Sequence, residues 1–144
     1  MKFMMIVKAT KEAEAGQMPT HEELVAMDKY TEELQKAGIL LEFAGLTPSS
    51  KGARIRYEGK KRTVIDGPFA EAKELIAGYC ILQVKSREEA IEWAKRAPFG
   101  SEVQNRDAPE VEVRQLMGPE DFAPGGGWST EGVDHALGEK LGKS

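Results

Sequence analysis

The chain of 144 residues contains one cysteine, Cys80, and two histidines, His21 and His135. A single cysteine cannot form an internal disulfide, so the fold does not depend on an oxidising compartment, and we expect a cytoplasmic protein. Neither histidine lies in an HExxH motif or a Cys/His cluster, so no metal site is predicted. No apolar run approaches the roughly 18 residues that a membrane helix needs, and Met1–Lys8 is typical of a strand rather than a signal peptide.

The chain also lacks an excess of positive charge. Lys and Arg number 20 against 24 Asp and Glu, and the resulting net charge of -4 argues against a dedicated nucleic-acid-binding protein. Apolar residues make up 40% and charged residues 31%, which is the balance of a globular domain and excludes a disordered chain. The glycines Gly125–Gly127 are not part of a GK[ST] phosphate loop. The sequence therefore predicts no cofactor and no nucleic-acid partner.

Apolar spacing and capping signals predict two helices and six strands. Thr20 with Glu23, and Ser86 with Glu89, have the spacing of capping boxes, which open helices. The polar stretch 9–18 is predicted to lie outside the core, 70–75 to form one helical turn, and 99–108 a loop. The predicted helices are 20–37 and 88–96, and the predicted strands are 2–8, 39–46, 53–57, 62–65, 76–85 and 111–116.

The order of these elements predicts an α+β fold. Strands 53–57 and 62–65 form an inserted β-hairpin, and without them the order is βαββαβ, the ferredoxin-like unit. Helices cover one face of that sheet, and the strands are too apolar for the other face to be wet. We therefore expect a homodimer formed through the sheet. Residues 1–117 are predicted to form the domain.

Residues 118–144 form a glycine-rich tail, with Trp128, Val133, Leu137 and Leu141 spaced like one face of a short helix. The tail either packs on the body or a partner subunit, or it is loose. We favour packing, because Trp128 is costly to leave in water.

The block Asp66-Gly67-Pro68-Phe69 is the most distinctive candidate for chemistry. Pro68 and Gly67 shape a turn that places the Asp66 carboxylate at a strand end, followed by the Phe69 ring. A carboxylate beside an apolar ring can have a raised pKa and act as an acid or base. The alternative is that Asp66 caps its own turn through a bond to backbone N–H groups.

The second candidate is the basic segment 51–62, which contains six basic residues against the single acidic residue Glu58. Arg54 and Arg56 are predicted to share the outward face of a strand whose inward face carries Ala53, Ile55 and Tyr57. Two guanidinium groups at that spacing can clamp a carboxylate or phosphate. The alternative is a solvated hairpin whose charges discourage edge pairing.

Two further residues have a functional and a structural interpretation. His21 lies in the first turn of a helix, where the dipole favours a neutral imidazole, a candidate base or ligand contact; it is otherwise a surface residue at the cap. Cys80 lies in an apolar run with no histidine close in sequence, so a small buried hydrophobe is favoured over a nucleophile.

Several blocks together resemble the YCII-related family, in its DGPF branch, from Met1 to about Leu116. The blocks are Met1–Ile6, Gly45-Leu46-x-Pro48-Ser49, Gly52-Ala53-Arg54, Asp66-Gly67-Pro68-Phe69 and Glu74-Leu75-Ile76-x-Gly78-Tyr79.

The resemblance implies a bacterial protein with a dimeric α+β barrel fold and a pocket between sheet and helices, in a superfamily that includes small isomerases and monooxygenases. A His–Asp pair has been proposed as active site in this family. Asp66 matches the aspartate, but Met27 stands where the histidine is expected, and His21 lies nearly two turns earlier. Members are often encoded beside extracytoplasmic-function sigma factors, which implies a regulatory association.

Two functions are therefore expected. In the first, a pocket bordered by Asp66, Phe69, Arg54 and Arg56, with His21, binds a small organic anion, and Asp66 moves a proton. In the second, the chain is a non-enzymatic module that senses a ligand or docks an acidic partner such as a sigma factor domain.

Overall fold

The structure is a computed structural model that describes residues 1–99 and 108–122. Its longest helix and the strands that this helix covers determine the architecture. The strands are β1 (Lys2–Lys8), β2 (Leu40–Gly45), β3 (Ala53–Glu58), β4 (Lys61–Asp66), β5 (Ile76–Gln83) and β6 (Val111–Gln115), and the helices are α1 (Lys11–Glu14), α2 (His21–Lys36) and α3 (Arg87–Lys95).

Four strands form an antiparallel sheet in the order β2-β5-β1-β6, and β3 and β4 form a separate hairpin. The two central strands, β5 and β1, are the third and first strands of the sheet in chain order, which is the strand order of the ferredoxin-like fold. The predicted α+β class and the inserted hairpin are therefore confirmed.

The hydrophobic core lies between one face of this sheet and helices α2 and α3. Phe3 and Met5 of β1 and Leu82 of β5 pack against α2 and α3, which contribute Tyr30, Leu34 and Ala90. Burying a large apolar side chain of this kind contributes roughly 1.5–3 kcal/mol to folding. The opposite sheet face carries Met4 and Ile6 of β1, which alternate with the core residues Phe3 and Met5.

The predicted capping residues begin both long helices. The Thr20 hydroxyl accepts a hydrogen bond from the Glu23 N–H at 3.2 Å, and the Ser86 hydroxyl accepts one from the Glu89 N–H at 3.1 Å. The Glu89 carboxylate accepts from the Lys85 N–H, one residue before the position that a complete capping box requires. The turn after α2 contains Gly38 at a φ of 71°, which a residue with a side chain rarely adopts.

The stretch 9–18 contains a short helix and a buried alanine, neither of which was predicted. Residues Lys11–Glu14 form helix α1, whose N-cap Thr10 accepts a hydrogen bond from the Ala13 N–H. Ala9 is buried, and its N–H donates to the Leu75 carbonyl oxygen at 3.0 Å. The prediction that this whole stretch lies outside the core was therefore wrong, because the small Ala9 side chain fits against the turn before β5.

The prediction that Ala53, Ile55 and Tyr57 face inward was also wrong. All six residues of β3 are exposed, with Ile55 at 45% and Tyr57 at 69% of full exposure, and Val64 of β4 at 62%. The alternation correctly separates these residues from Arg54 and Arg56. Alternation cannot indicate whether another element packs on the apolar face, and no described helix or strand buries it.

Several predictions fall outside the described residues. Most of the predicted loop 99–108 and of the tail 118–144 lies there, including Trp128 and His135. In the near part of the tail, Pro119–Asp121 form one turn of 3-10 helix. The 70–75 segment contains a similar turn at Ala72–Glu74. Among the described helices, none is long and apolar enough to cross a membrane.

Candidate functional site

A cavity of about 400 Å³ lies between helix α2 and the helix-covered face of the sheet. Its volume falls in the range of small-molecule sites, roughly 300–1,000 Å³. Strands β1, β2 and β5 form its floor and α2 its roof. The described lining residues are Met5, Val7, Pro19, Met27, Tyr30, Thr31, Leu34, Leu40, Phe43, Ala44, Gly45, Ala77, Gly78, Tyr79, Cys80 and Phe99.

The lining carries almost no hydrogen-bonding capacity toward a ligand. None of the described lining residues is Asp, Glu, Lys, Arg or His. The Tyr30 hydroxyl donates to the Trp93 carbonyl oxygen at 2.6 Å, a bond that ties α2 to α3. Burial raises the pKa of Tyr30 far above its ordinary value, so the phenol is neutral at physiological pH. Thr31 is therefore the lining residue whose small polar side chain can offer a hydrogen bond to a ligand.

Cys80 lies on the cavity floor as a neutral thiol. Burial raises its pKa from 9.0 to about 11, against a smaller opposing effect of a hydrogen bond with the Met5 backbone. A thiol with that pKa is protonated at neutral pH and is a poor nucleophile. The structure therefore agrees with the interpretation of Cys80 as a small hydrophobe.

The Asp66-Gly67-Pro68-Phe69 block forms the root of the β3–β4 hairpin. The Gly67 N–H donates to the Gly52 carbonyl oxygen at 3.0 Å, and the Gly67–Pro68 peptide bond is cis. A Cβ atom at Gly67 would lie 1.8 Å from the Ser49 carbonyl oxygen, so no other residue fits without moving the backbone. The glycine of the motif is thus required for the close approach of two chain segments.

Two residues that the sequence analysis did not select, Ser49 and Glu14, hold this root. The Ser49 hydroxyl accepts from the Phe69 N–H at 3.0 Å and donates to the Glu14 carboxylate. The same carboxylate accepts from the Ser49 N–H at 2.9 Å. Ser49 belongs to a block that carried the family resemblance, which was a signal for it. Glu14 had no signal, because it is 35 residues from Ser49 in the chain.

The hairpin register separates the predicted catalytic carboxylate from the predicted arginine clamp. Asp66 pairs with Ala53, whereas Arg54 pairs with Ile65, and directly paired residues share a face. Asp66 therefore lies on the apolar face of the hairpin, and Arg54 and Arg56 lie on the other. The Arg54 guanidinium stacks over the Phe69 ring at 3.8 Å from its centroid.

The cavity and the predicted site residues are in different places. Asp66, Arg54, Arg56 and His21 are exposed, Phe69 is partly buried, and none of the five lines the cavity. His21 is the first residue of α2 and therefore lies in the first turn of a helix, as predicted. The catalytic role of Asp66 and the ligand-binding roles of the other four stay predictions.

Met27 and Thr31 line the cavity although the sequence analysis did not select either residue for ligand binding. They lie on the core side of α2, so the apolar stripe of that helix was the available signal. Within residues 1–99 and 108–122, no group of three or more His, Cys, Asp or Glu side chains is placed to bind a metal ion.

Comparison with known proteins gives three findings. The YCII-related domain matches residues 1–115. An uncharacterised protein of Rhizobium meliloti (strain 1021) is 37% identical over 67 residues, which are 46% of this chain and 51% of that protein. The chain thus matches about half the length of this curated relative.

A solved structure is similar at a lower level. It is the 5-chloro-2-hydroxyhydroquinone dehydrochlorinase TftG from Burkholderia phenoliruptrix AC1100, in complex with 2,5-dihydroxybenzoquinone. The sequences are 16% identical, the TM-score is 0.44, and the alignment covers 83% of this chain and 98% of that one. The fold assignment rests on the strand order given above, and the domain match covers most of the sequence. The chain belongs to the YCII-related family.

Proposed function

We propose that the chain binds a small, uncharged and mainly apolar molecule in the cavity beneath α2. The observation that carries this proposal is the lining, which has the volume of a ligand site and no charged side chain among its described residues. An ion transferred to such a site without a partner loses its hydration, at a cost that excludes it in favour of a neutral molecule. This differs from the small organic anion that the arginines suggested.

The rim of the cavity supports access for such a ligand. Phe43, on edge strand β2, lines the cavity and is 58% exposed. Exposed aromatic and apolar residues beside a cavity offer a contact surface for an entering apolar molecule. The buried end is closed by Met5 and Leu34, which belong to the core.

The chemistry of the lining favours binding over acid–base catalysis within the cavity. Cys80 and Tyr30 are both neutral at physiological pH because burial raises each pKa. Neither group is prepared to accept a proton, and a carboxylate or imidazole is missing from the described lining. The proposed role is therefore that of a ligand-binding or ligand-sensing protein.

We further propose that a second copy of the chain covers the sheet face opposite the helices. Met4 and Ile6 stand on that face, next to Tyr79 and Ile81 of β5. The described helices α2 and α3 pack on the other side. The apolar centre of this sheet face, flanked by Glu42, Glu112 and Arg114, is stabilised by burial against a partner. Light scattering of the purified chain at micromolar concentration tests this, with a dimer mass expected and a monomer contradicting it.

Two fluorescent probes of nearly equal shape test the ligand class. N-phenyl-1-naphthylamine is neutral, and 8-anilinonaphthalene-1-sulfonate adds one negative charge to a similar ring system. We expect the neutral probe to bind at least about tenfold more tightly, which corresponds to about 1.4 kcal/mol. Tighter binding of the sulfonate would contradict the proposal of an uncharged ligand and would support a small organic anion instead.

A matched pair of variants locates the probe. Thr31→Phe places a ring in the cavity, whereas Glu32→Phe places the same ring on the outer side of α2. We expect the first variant to weaken binding of the neutral probe at least about tenfold and the second to leave it within about twofold. Equal affinities in the two variants would place the probe elsewhere.

Two finer functions stay predictions beside this one. The first is acid–base catalysis by Asp66, whose turn is held by Gly67 and Ser49 in a fixed position. It predicts that Asp66→Asn abolishes turnover of a substrate while the fold is kept.

The second is a regulatory association with a sigma factor, which predicts that charge reversal at Arg54 and Arg56 weakens binding to that partner in a salt-dependent way.

A further inference from the structure

The β3–β4 hairpin is an apolar and basic surface that the described part of the chain does not bury. Ile55, Tyr57 and Val64 share one of its faces and are all largely exposed. Arg62 belongs to the same face, and its guanidinium lies 4.7 Å from the centroid of the Tyr57 ring. A cation held over an aromatic ring keeps that ring in one orientation, which favours its use as a contact residue.

The charge of the hairpin is opposite to that of the remaining chain. Residues 51–62 carry a net charge of +5 while the whole chain carries -4, so the remainder carries -9. A surface of one sign is attracted to a surface of the other sign, and the attraction sets orientation as well as association rate. The rest of a second copy of this chain is such an acidic surface.

Helix α2 carries the matching features on its outer side. Leu24 and Val25 are 50% and 52% exposed. Glu22 and Asp28 lie three residues before and after Val25, so they flank it on the helix surface. The helix as a whole has five acidic residues against two lysines. It thus presents apolar side chains next to carboxylates, which complement the apolar side chains next to Arg62 on the hairpin.

We propose that the apolar face of the hairpin docks on the outer surface of α2 in a second copy of this chain. Ile55, Tyr57 and Val64 contact Leu24 and Val25 of that copy. Arg62 faces its Glu22 and Asp28.

The reach of the hairpin permits this contact together with a dimer through the sheet. A six-residue strand spans about 20 Å. The hairpin follows edge strand β2, and α2 packs against that same strand. A hairpin of this length is long enough to extend past the sheet edge toward the helix side of a partner.

Disulfide trapping between singly substituted chains tests the docking without any ligand. All chains carry Cys80→Ser, which removes the natural thiol. Chains with Tyr57→Cys are mixed with chains with Leu24→Cys under mild oxidation, and we expect a disulfide-linked heterodimer. The matched control replaces Tyr57→Cys by Arg56→Cys, on the opposite face of the same hairpin. Cysteines whose Cβ atoms point in opposite directions cannot be joined without backbone movement, so the control pair stays unlinked.

Charge substitutions test the electrostatic part of the docking in the same experiment. Arg62→Glu in the first chain is expected to lower the yield of heterodimer, and Glu22→Lys with Asp28→Lys in the second chain is expected to restore it. Circular dichroism of each variant confirms its fold, and substitutions at these exposed positions leave the core untouched. No linked heterodimer from folded chains, linkage of both hairpin faces alike, or linkage only between two Tyr57→Cys chains would each overturn the proposal.

The result separates this inference from the ligand function. Linkage without any binding of N-phenyl-1-naphthylamine would leave the docking established and remove the proposed ligand site. Probe binding without linkage would keep the ligand site and remove the docking.

Discussion

The cavity beneath α2 and the β3–β4 hairpin are opposite in nearly every physical property. The cavity is lined by side chains of the core and has no charged group among its described residues. The hairpin is exposed and basic, and the conspicuous sequence motif forms its root. A distinctive motif can therefore reflect a requirement of the backbone geometry before it reflects any chemistry. Glycine is required at position 67 because a Cβ atom there would collide with the Ser49 carbonyl oxygen, whether or not Asp66 has a chemical role.

The largest expected difference concerns stability. Leu34, which is 2% exposed, lines the cavity and packs in the core, so Leu34→Ala should lower the free energy of unfolding by roughly 2–5 kcal/mol. Arg56→Ala removes an exposed side chain from the other face of the hairpin and should change it by less than about 0.5 kcal/mol. Urea unfolding of both variants measures the contrast. A large loss for Arg56→Ala would show that the hairpin is part of the core in solution.

A smaller effect is expected at the hairpin root. Gly67→Ala forces a Cβ atom against the Ser49 backbone and should cost roughly 1–3 kcal/mol of stability. Gly45→Ala is the matched control, since a Cβ atom there meets nothing within 4 Å, and it should change stability by less than about 0.5 kcal/mol. Equal stabilities in urea would mean that the root relaxes without cost.

The titration of two thiols compares the cavity floor with the hairpin. The pKa of Cys80 is raised from 9.0 to about 11, so its alkylation by iodoacetamide should keep accelerating up to about pH 11. A thiol introduced by Arg56→Cys with Cys80→Ser is exposed, and its alkylation rate should reach a plateau near the ordinary thiol pKa. A plateau near pH 9 at Cys80 would contradict its burial on the cavity floor.

The same pKa shift links stability to pH. Because the folded state favours the protonated thiol, the stabilising contribution of Cys80 is complete below pH 9 and is lost as the pH rises through about 11. Wild-type stability should therefore fall more steeply over this window than that of Cys80→Ser, in urea unfolding at each pH. Parallel curves would remove Cys80 as the source.

The fold could be predicted from the sequence because its signals are local. Thr20, Ser86 and Gly38 mark helix ends through bonds and backbone angles within a few residues. Alternation in β1 separates Met4 and Ile6 from the core residues. Each of these signals depends on neighbours in the chain, so one sequence suffices to recognise it.

The candidate site could not be predicted in the same way, because it depends on distant segments. The cavity needs α2, β1, β2 and β5 together, and its volume is what their side chains leave unfilled. The bond between Ser49 and Glu14 joins residues 35 positions apart. The charges of Arg54 and Arg56 were visible in the sequence, but the face of the hairpin on which Asp66 lies required the strand register.

The most direct test of the account is binding of N-phenyl-1-naphthylamine to two variants measured side by side. Arg54→Ala with Arg56→Ala removes the predicted anion clamp, and Thr31→Phe obstructs the cavity. If the ligand site lies beneath α2, the arginine variant should bind within about twofold of wild type and Thr31→Phe at least about tenfold more weakly. Full binding by Thr31→Phe together with loss in the arginine variant would place the ligand site on the hairpin and contradict the account.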